Sequence, residues 1–181
     1  TSAATNQILV GSGSCSPVTS GQIAWALKHG FAEVPLDASA LANTKTGAAE
    51  IKIATSRAVK LLNSGCSVII HTTKHGSDKR VATKLKARTA EVLGTAVGTV
   101  LRGAMEQTEV RRICIAGGDT SSYAARAMRI EALEMIAPLT PGAPLCRAHA
   151  NGSPVNGCEV VLKGGQVGGD NYFDVVLKGI S

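Results

Sequence analysis

Short apolar runs that stop at glycine or small polar residues, each followed by a longer stretch of helical periodicity, restrict this chain to few architectures. Gln7 to Val10 stops at Gly11, Ser12 and Gly13, and Arg112 to Ala116 stops at Gly117. Ala32 to Leu36 and Ser67 to Thr72 are further strand candidates. Between them, Ile23, Ala24 and Leu27 form a short helical run closed by Gly30, and Ile51, Ala54, Ala58, Leu61 and Leu62 recur at helical spacing before Gly65. A longer run, roughly Val81 to Gln107, carries its apolar stripe on Leu85, Val92, Ala96, Val97, Val100 and Ala104, and places Gly94 and Gly98 on one face for close packing. Strands buried on both faces read as nearly continuous apolar runs, and helices connect parallel neighbours. The expected fold is therefore α/β, a mostly parallel sheet with helices on both faces.

After Ile130 the texture changes. Leu133 to Ala137, Leu145 to His149 and Glu159 to Leu162 are strand candidates too close together for crossover helices, separated by Pro138, Pro141, Gly142, Pro144 and Pro154. They predict a C-terminal part with short antiparallel strands, closed by a helix over Tyr172 to Lys178. At 181 residues the whole chain, 1 to 181, is expected to form one domain.

Composition narrows the partners. Apolar residues make up 44% without an uninterrupted membrane-spanning stretch, which argues against a membrane protein. The five cysteines are irregularly spaced and partly sit in apolar runs, a pattern that suits reduced thiols and a cytoplasmic location. Cys146, His149 and Cys158 lack the paired short spacings of a zinc site. Net charge is +6, and six basic residues lie between Lys74 and Arg88 with one acid, Asp78. That segment reads first as a solvated surface and second as help for nucleotide phosphates. Two Phe, two Tyr and one Trp are too few for a base-stacking platform, so no nucleic-acid partner is expected.

The chemistry concentrates in turns that follow strands: Gly11 to Thr19, Gly117 to Ser122 and Gly164 to Gly169. In an open α/β sheet, ligands bind outside the carboxyl ends of the strands, where backbone N–H groups and helix N-termini meet an anion. Glycine removes the Cβ that would keep phosphate oxygens from the backbone. In the second turn, Asp119, Thr120, Ser121 and Ser122 could cap the following helix, or Gly117, Gly118, Asp119, Thr120 and Ser121 could cradle phosphate. Asp119 beside phosphate would repel it unless Mg²⁺ lay between, which makes Asp119 the candidate metal ligand. In the third turn, Lys163 delivers a mobile positive charge where a strand ends, suited to β- or γ-phosphate oxygens during phosphoryl transfer, with Gly164, Gly165 and Gly168 beside it. A surface lysine beside a flexible loop is the bland alternative. No Walker A motif is present, and Gly11-Ser-Gly13 lacks the third glycine of a dinucleotide fingerprint.

Gly11-Ser-Gly-Ser-Cys-Ser-Pro-Val-Thr19 with Gln22, then Ala116-Gly-Gly-Asp-Thr-Ser-Ser122, Pro141-Gly-Ala-Pro144, and Leu162-Lys-Gly-Gly-Gln-Val-Gly168 with Phe173 follow one another in a characteristic order. Over nearly the whole chain they resemble the C-terminal domain of the four-carbon acid sugar kinases. That family phosphorylates threonate, erythronate or their 3-oxo forms with ATP, and its C-terminal domain holds the nucleotide. The resemblance implies that Ser14, Ser16, Gly117 to Thr120 and Gly164 or Gly165 contact ATP. Family members hold the sugar acid with an N-terminal domain that opens on an Asp-Asp-x-Thr-Gly motif, and nothing in this chain matches it. The chain is therefore expected to be the C-terminal half of a two-domain kinase, inactive by itself. Ser121-Ser-Tyr123, where many relatives have Ser-Gly, marks a subgroup. A stand-alone nucleotide- or anion-binding module is the rival reading, and a homodimer is left open.

Overall fold

The structure, a computed structural model, describes residues 2–13, 16–72 and 86–179. Ser14 and most of the basic segment between Lys74 and Arg88 lie outside the described residues. In chain order the elements are β1 (Leu9–Ser12), α1 (Pro17–Lys28), β2 (Ala32–Pro35), α2 (Ala38–Leu41), α3 (Thr44–Asn63), β3 (Val68–His71) and α4 (Lys86–Glu106). There follow β4 (Arg112–Ala116), α5 (Gly118–Ala127), β5 (Ala132–Thr140), β6 (Ala143–His149), β7 (Glu159–Lys163) and α6 (Tyr172–Lys178).

The seven strands form one sheet in the order β2-β3-β1-β4-β7-β6-β5. β2, β3, β1, β4 and β7 run parallel, and β6 and β5 add antiparallel neighbours at one edge. The expected mostly parallel sheet with helices on both faces is present, with one addition. β7 pairs antiparallel with β6, as its spacing predicts, and also parallel with β4. That second pairing joins the C-terminal strands to the parallel sheet and brings the third glycine turn level with the first two. Pro138 falls inside β5 rather than ending it. β5 is the edge strand of the sheet, where a residue without an N–H is tolerated, and its pairing with β6 shifts register between Ala137 and Thr140.

Alternation along β1 assigns the faces. Leu9 joins a core with residues of α3, α4 and α5, including Ala58, Val97, Leu101 and Ala124. Val10 joins the opposite core with Ile23 and Ala26 of α1 and Phe173 and Val176 of α6. β1 extends through Gly11 and Ser12, two residues the sequence assigns to a turn. A Cβ at Gly11 would stand 2.7 Å from Val97 Cγ1 and 2.8 Å from Leu101 Cδ1, so glycine here lets α4 lie close on the strand. Gly94 and Gly98 perform the expected close packing, against α5.

Candidate functional site

Ser12, Ala116 and Lys163 occupy one row across β1, β4 and β7, so the turns that leave these strands start at the same level. The connection after β1 leads to β2 on one side of the sheet and the connection after β4 leads to β5 on the other, which makes the β1/β4 boundary the topological switch point of the sheet. Contacts among the turns follow directly. Gly117 N donates to Lys163 O at 3.0 Å. A Cβ on Gly13 would stand 2.5 Å from Thr120 Cγ2, and one on Gly165 would stand 3.2 Å from Ser16 Cβ. Thr72, just past β3, braces the first turn, its hydroxyl donating to Gly13 O at 2.6 Å and its amide to Ser12 O at 3.1 Å.

The second turn differs from its expected form. The N-cap of α5 is Gly117 at φ +112°, a conformation that L side chains rarely adopt, and it supplies no side-chain cap. Asp119, Thr120, Ser121 and Ser122 all lie within the helix rather than capping it. Ser121 Oγ instead donates back to Gly117 O, and Thr120 is buried against Gly13. The amides of Gly118, Asp119 and Thr120 donate to no described residue. A Cβ at Gly118 would meet no described residue within 4 Å, so packing against these residues does not demand a glycine there. Asp119 is exposed and has no hydrogen bond or ion pair among the described residues.

In the first turn, Ser16 caps α1, its Oγ accepting from Thr19 N at 3.1 Å and donating to Gly165 O. Ser16, Thr19 and Gln22 recur every third residue and present one polar stripe of α1 to the third turn. Thr19 Oγ1 donates to Gly165 O at 2.9 Å, and Gln22 Nε2 reaches the carbonyls of Val167, Gly168 and Gly169. Thr19, Gln22 and Thr72 were absent from the candidate site residues. A usable signal existed for two of them: hydroxyl and amide side chains on the same face of α1 as the buried Ile23 and Ala26.

Lys163 departs most from expectation. It is neither mobile nor on the surface: only 1% of it is exposed, and its ammonium donates to Thr19 Oγ1 at 3.1 Å and Gly164 O at 2.9 Å. It also lies 5.5 Å from the centre of the Tyr172 ring. Burial pushes the neighbouring Cys114 thiol up to about 12, against the opposing pull of the Lys163 charge, and burial likewise raises Tyr172. Both stay protonated and uncharged at neutral pH. Gly168, at φ +85°, passes directly over Tyr172, where a Cβ would collide with the ring.

Among the described residues no three His, Cys, Asp or Glu side chains form a metal-binding group, no cysteine is paired, and no helix is long and apolar enough to cross a membrane.

The model of the nucleotide-binding C-terminal domain matches residues 9–173. A 3-oxo-isoapionate kinase of Paraburkholderia graminis is 39% identical over 177 residues, covering 93% of this chain and 38% of that protein. A 3-oxo-tetronate kinase of Cupriavidus necator is 29% identical, over 92% of this chain and 36% of its own length. The chain thus spans less than two-fifths of these two relatives. The solved Haemophilus influenzae protein HI1011 superposes with a TM-score of 0.76 at 20% identity, covering 97% of this chain and 41% of that one, and shares the fold. The three turns fall inside the matched segment, and the chain belongs to the nucleotide-binding C-terminal domain family, the domain carried by the four-carbon acid sugar kinases.

Proposed function

We propose that this chain binds the phosphates of ATP and ADP in the cradle formed by the turns after β1, β4 and β7, and serves a kinase that transfers the γ-phosphate to a hydroxyl of a small sugar acid. The observation that carries the reading is the set of amides at Gly118, Asp119 and Thr120 that donate to no described residue, at the N-terminus of α5 and the switch point of the sheet. Amides and a helix N-terminus aimed at one place favour an anion. The open space at Gly118 gives phosphate oxygens close access to the backbone. Relatives named for 3-oxo-isoapionate, 3-oxo-tetronate and D-threonate support a sugar-acid acceptor of the threonate or tetronate type.

Titration of the chain with Mg²⁺-ADP should move the amide resonances of Gly118 and Gly165, and NAD should bind more weakly. Movement confined to the segment between Lys74 and Arg88 would replace this reading with a nonspecific polyanion surface.

Asp119 fits a magnesium ion held mainly by phosphate oxygens and water, because its carboxylate is exposed and spends no bond on a described residue. When bound, the ion would neutralise phosphate charge beside this carboxylate. Asp119→Asn should weaken Mg²⁺-ADP binding by about tenfold, the scale of one charge-assisted contact, and leave metal-free ADP unchanged or tighter. Equal losses with and without the ion would restrict Asp119 to favouring the helix N-terminus.

The acceptor site and catalytic base belong, in this proposal, to residues beyond these 181. Positioning both reactants supplies much of the catalysis of phosphoryl transfer. Residues 1 to 181 alone should therefore transfer no phosphate to threonate or erythronate, and robust turnover in a coupled assay would relocate the acceptor site into this chain.

A further inference from the structure

The turn from Gly164 to Asp170 is held from beneath by side-chain donors. Lys163 Nζ donates to Gly164 O at 2.9 Å and lies 3.5 Å from Gly165 O, which also accepts from the hydroxyls of Ser16 and Thr19. Gln22 Nε2 lies 2.9, 3.1 and 3.0 Å from the carbonyl oxygens of Val167, Gly168 and Gly169. Five carbonyls within six consecutive residues are thereby turned toward α1 and the sheet.

Peptide planarity fixes what the other side of the turn presents. In a trans peptide the N–H points opposite to the preceding C=O. The amides of Gly165, Gln166, Gly168, Gly169 and Asp170 therefore face away from Gln22 and Lys163, and none of them donates to a described residue. Gln166, Gly168, Gly169 and Asp170 are exposed. A run of such amides makes an anion-binding concavity.

Gln22 carries a second sign of constraint. The residue is fully buried, yet its Oε1 has no hydrogen-bond partner among the described residues. A buried acceptor left unpaired is an unfavourable feature that calls for a reason beyond packing. Orientation of the turn supplies one, because all of the donor capacity of the side chain is spent on the turn.

We propose that Gln22 and Lys163 are positioning residues that set the polarity of this turn, holding its carbonyls inward so that its amides meet phosphate. Phosphate affinity then depends on a buried glutamine that phosphate never touches. The inference rests on the nucleotide-binding reading and extends it to residues outside the cradle surface.

Gln22→Met keeps the length of the side chain and removes its donors. In the full chain, well below the melting temperature of the variant, the dissociation constants for ADP and for inorganic pyrophosphate should rise by about 10- to 100-fold, as expected for one lost hydrogen bond to a charged group. The amides of Gly165, Gly168 and Gly169 should shift with either probe in the wild type and stop responding in the variant, while Gly118 still responds. A glutamine needed only for stability would lower Tm and leave the dissociation constants unmoved, which overturns the proposal. The wild-type shifts decide the matter if the variant fails to fold: ADP binding that leaves Gly168 and Gly169 unmoved also overturns it. Pyrophosphate moving these amides while ADP does not bind would retain the latch and remove the nucleotide reading. Silence toward both probes would remove both.

Discussion

Lys163→Met is expected to lower kcat/KM for ATP by on the order of 10² to 10³ in the full-length kinase that carries this chain, the scale of losing a preorganised electrostatic stabiliser. Lys163 is 1% exposed and its Nζ is held by Thr19 Oγ1 and Gly164 O, so an ammonium there acts through a poorly solvated environment where electrostatic effects exceed those in water. Methionine retains the buried stem and removes both the charge and the donors. Two losses should coincide. The acceptors at Thr19 and Gly164 lose a donor, at about 1 to 3 kcal/mol of stability, and the third turn loses part of what orients its amides. Denaturant unfolding reads the first loss, and steady-state kinetics at a temperature where the variant is folded reads the second. Wild-type kcat/KM in a folded Lys163→Met variant would reduce the residue to a structural role.

Gly98→Ala and Gly103→Ala lie in the same helix, carry the same gain of about 1 kcal/mol in helix propensity, and should nevertheless shift stability in opposite directions. A Cβ at Gly98 would stand 2.5 Å from Ala124 O and 2.7 Å from Ala124 Cα. Both belong to the backbone of α5, which cannot turn aside as a side chain can. α4 and α5 would have to separate along a buried seam, and overpacking of this kind costs about 1 to 3 kcal/mol. Net destabilisation of about 1 kcal/mol, or a Tm lower by about 2 to 4 °C for a chain of this size, is expected for Gly98→Ala. At Gly103 the nearest atom is the Thr55 methyl at 3.1 Å, a side-chain group that yields by a few tenths of an ångström. That substitution should be neutral or slightly stabilising. Calorimetric melting of the two variants tests the contrast, and equal melting temperatures would mean that the α4–α5 seam is looser than these distances require.

Local pattern carried much of the architecture. β4 and α6 have the bounds read from the sequence, because four apolar residues between Arg112 and two glycines and a short helical run after a glycine-rich stretch are signals contained in neighbouring residues. The glycine turns were legible for the same reason. α2 went unread, since four residues opened by an Asp37 cap give too short a period to detect.

What the sequence by itself determined, then, was alternation, element type and the positions where the backbone is bare of Cβ atoms, all properties of a residue and its near neighbours. Only the tertiary structure decided that β7 lies parallel to β4, that Gly11 continues a strand beneath α4, and that Gly117 rather than Asp119 heads α5. The same holds for Lys163, which becomes a buried donor because Thr19, 144 positions away, lies beside it, and for Gln22, whose three acceptors lie about as far along the chain. Burial and hydrogen-bond partnership are set by contacts between distant segments, and a local period contains no information about which segments will meet.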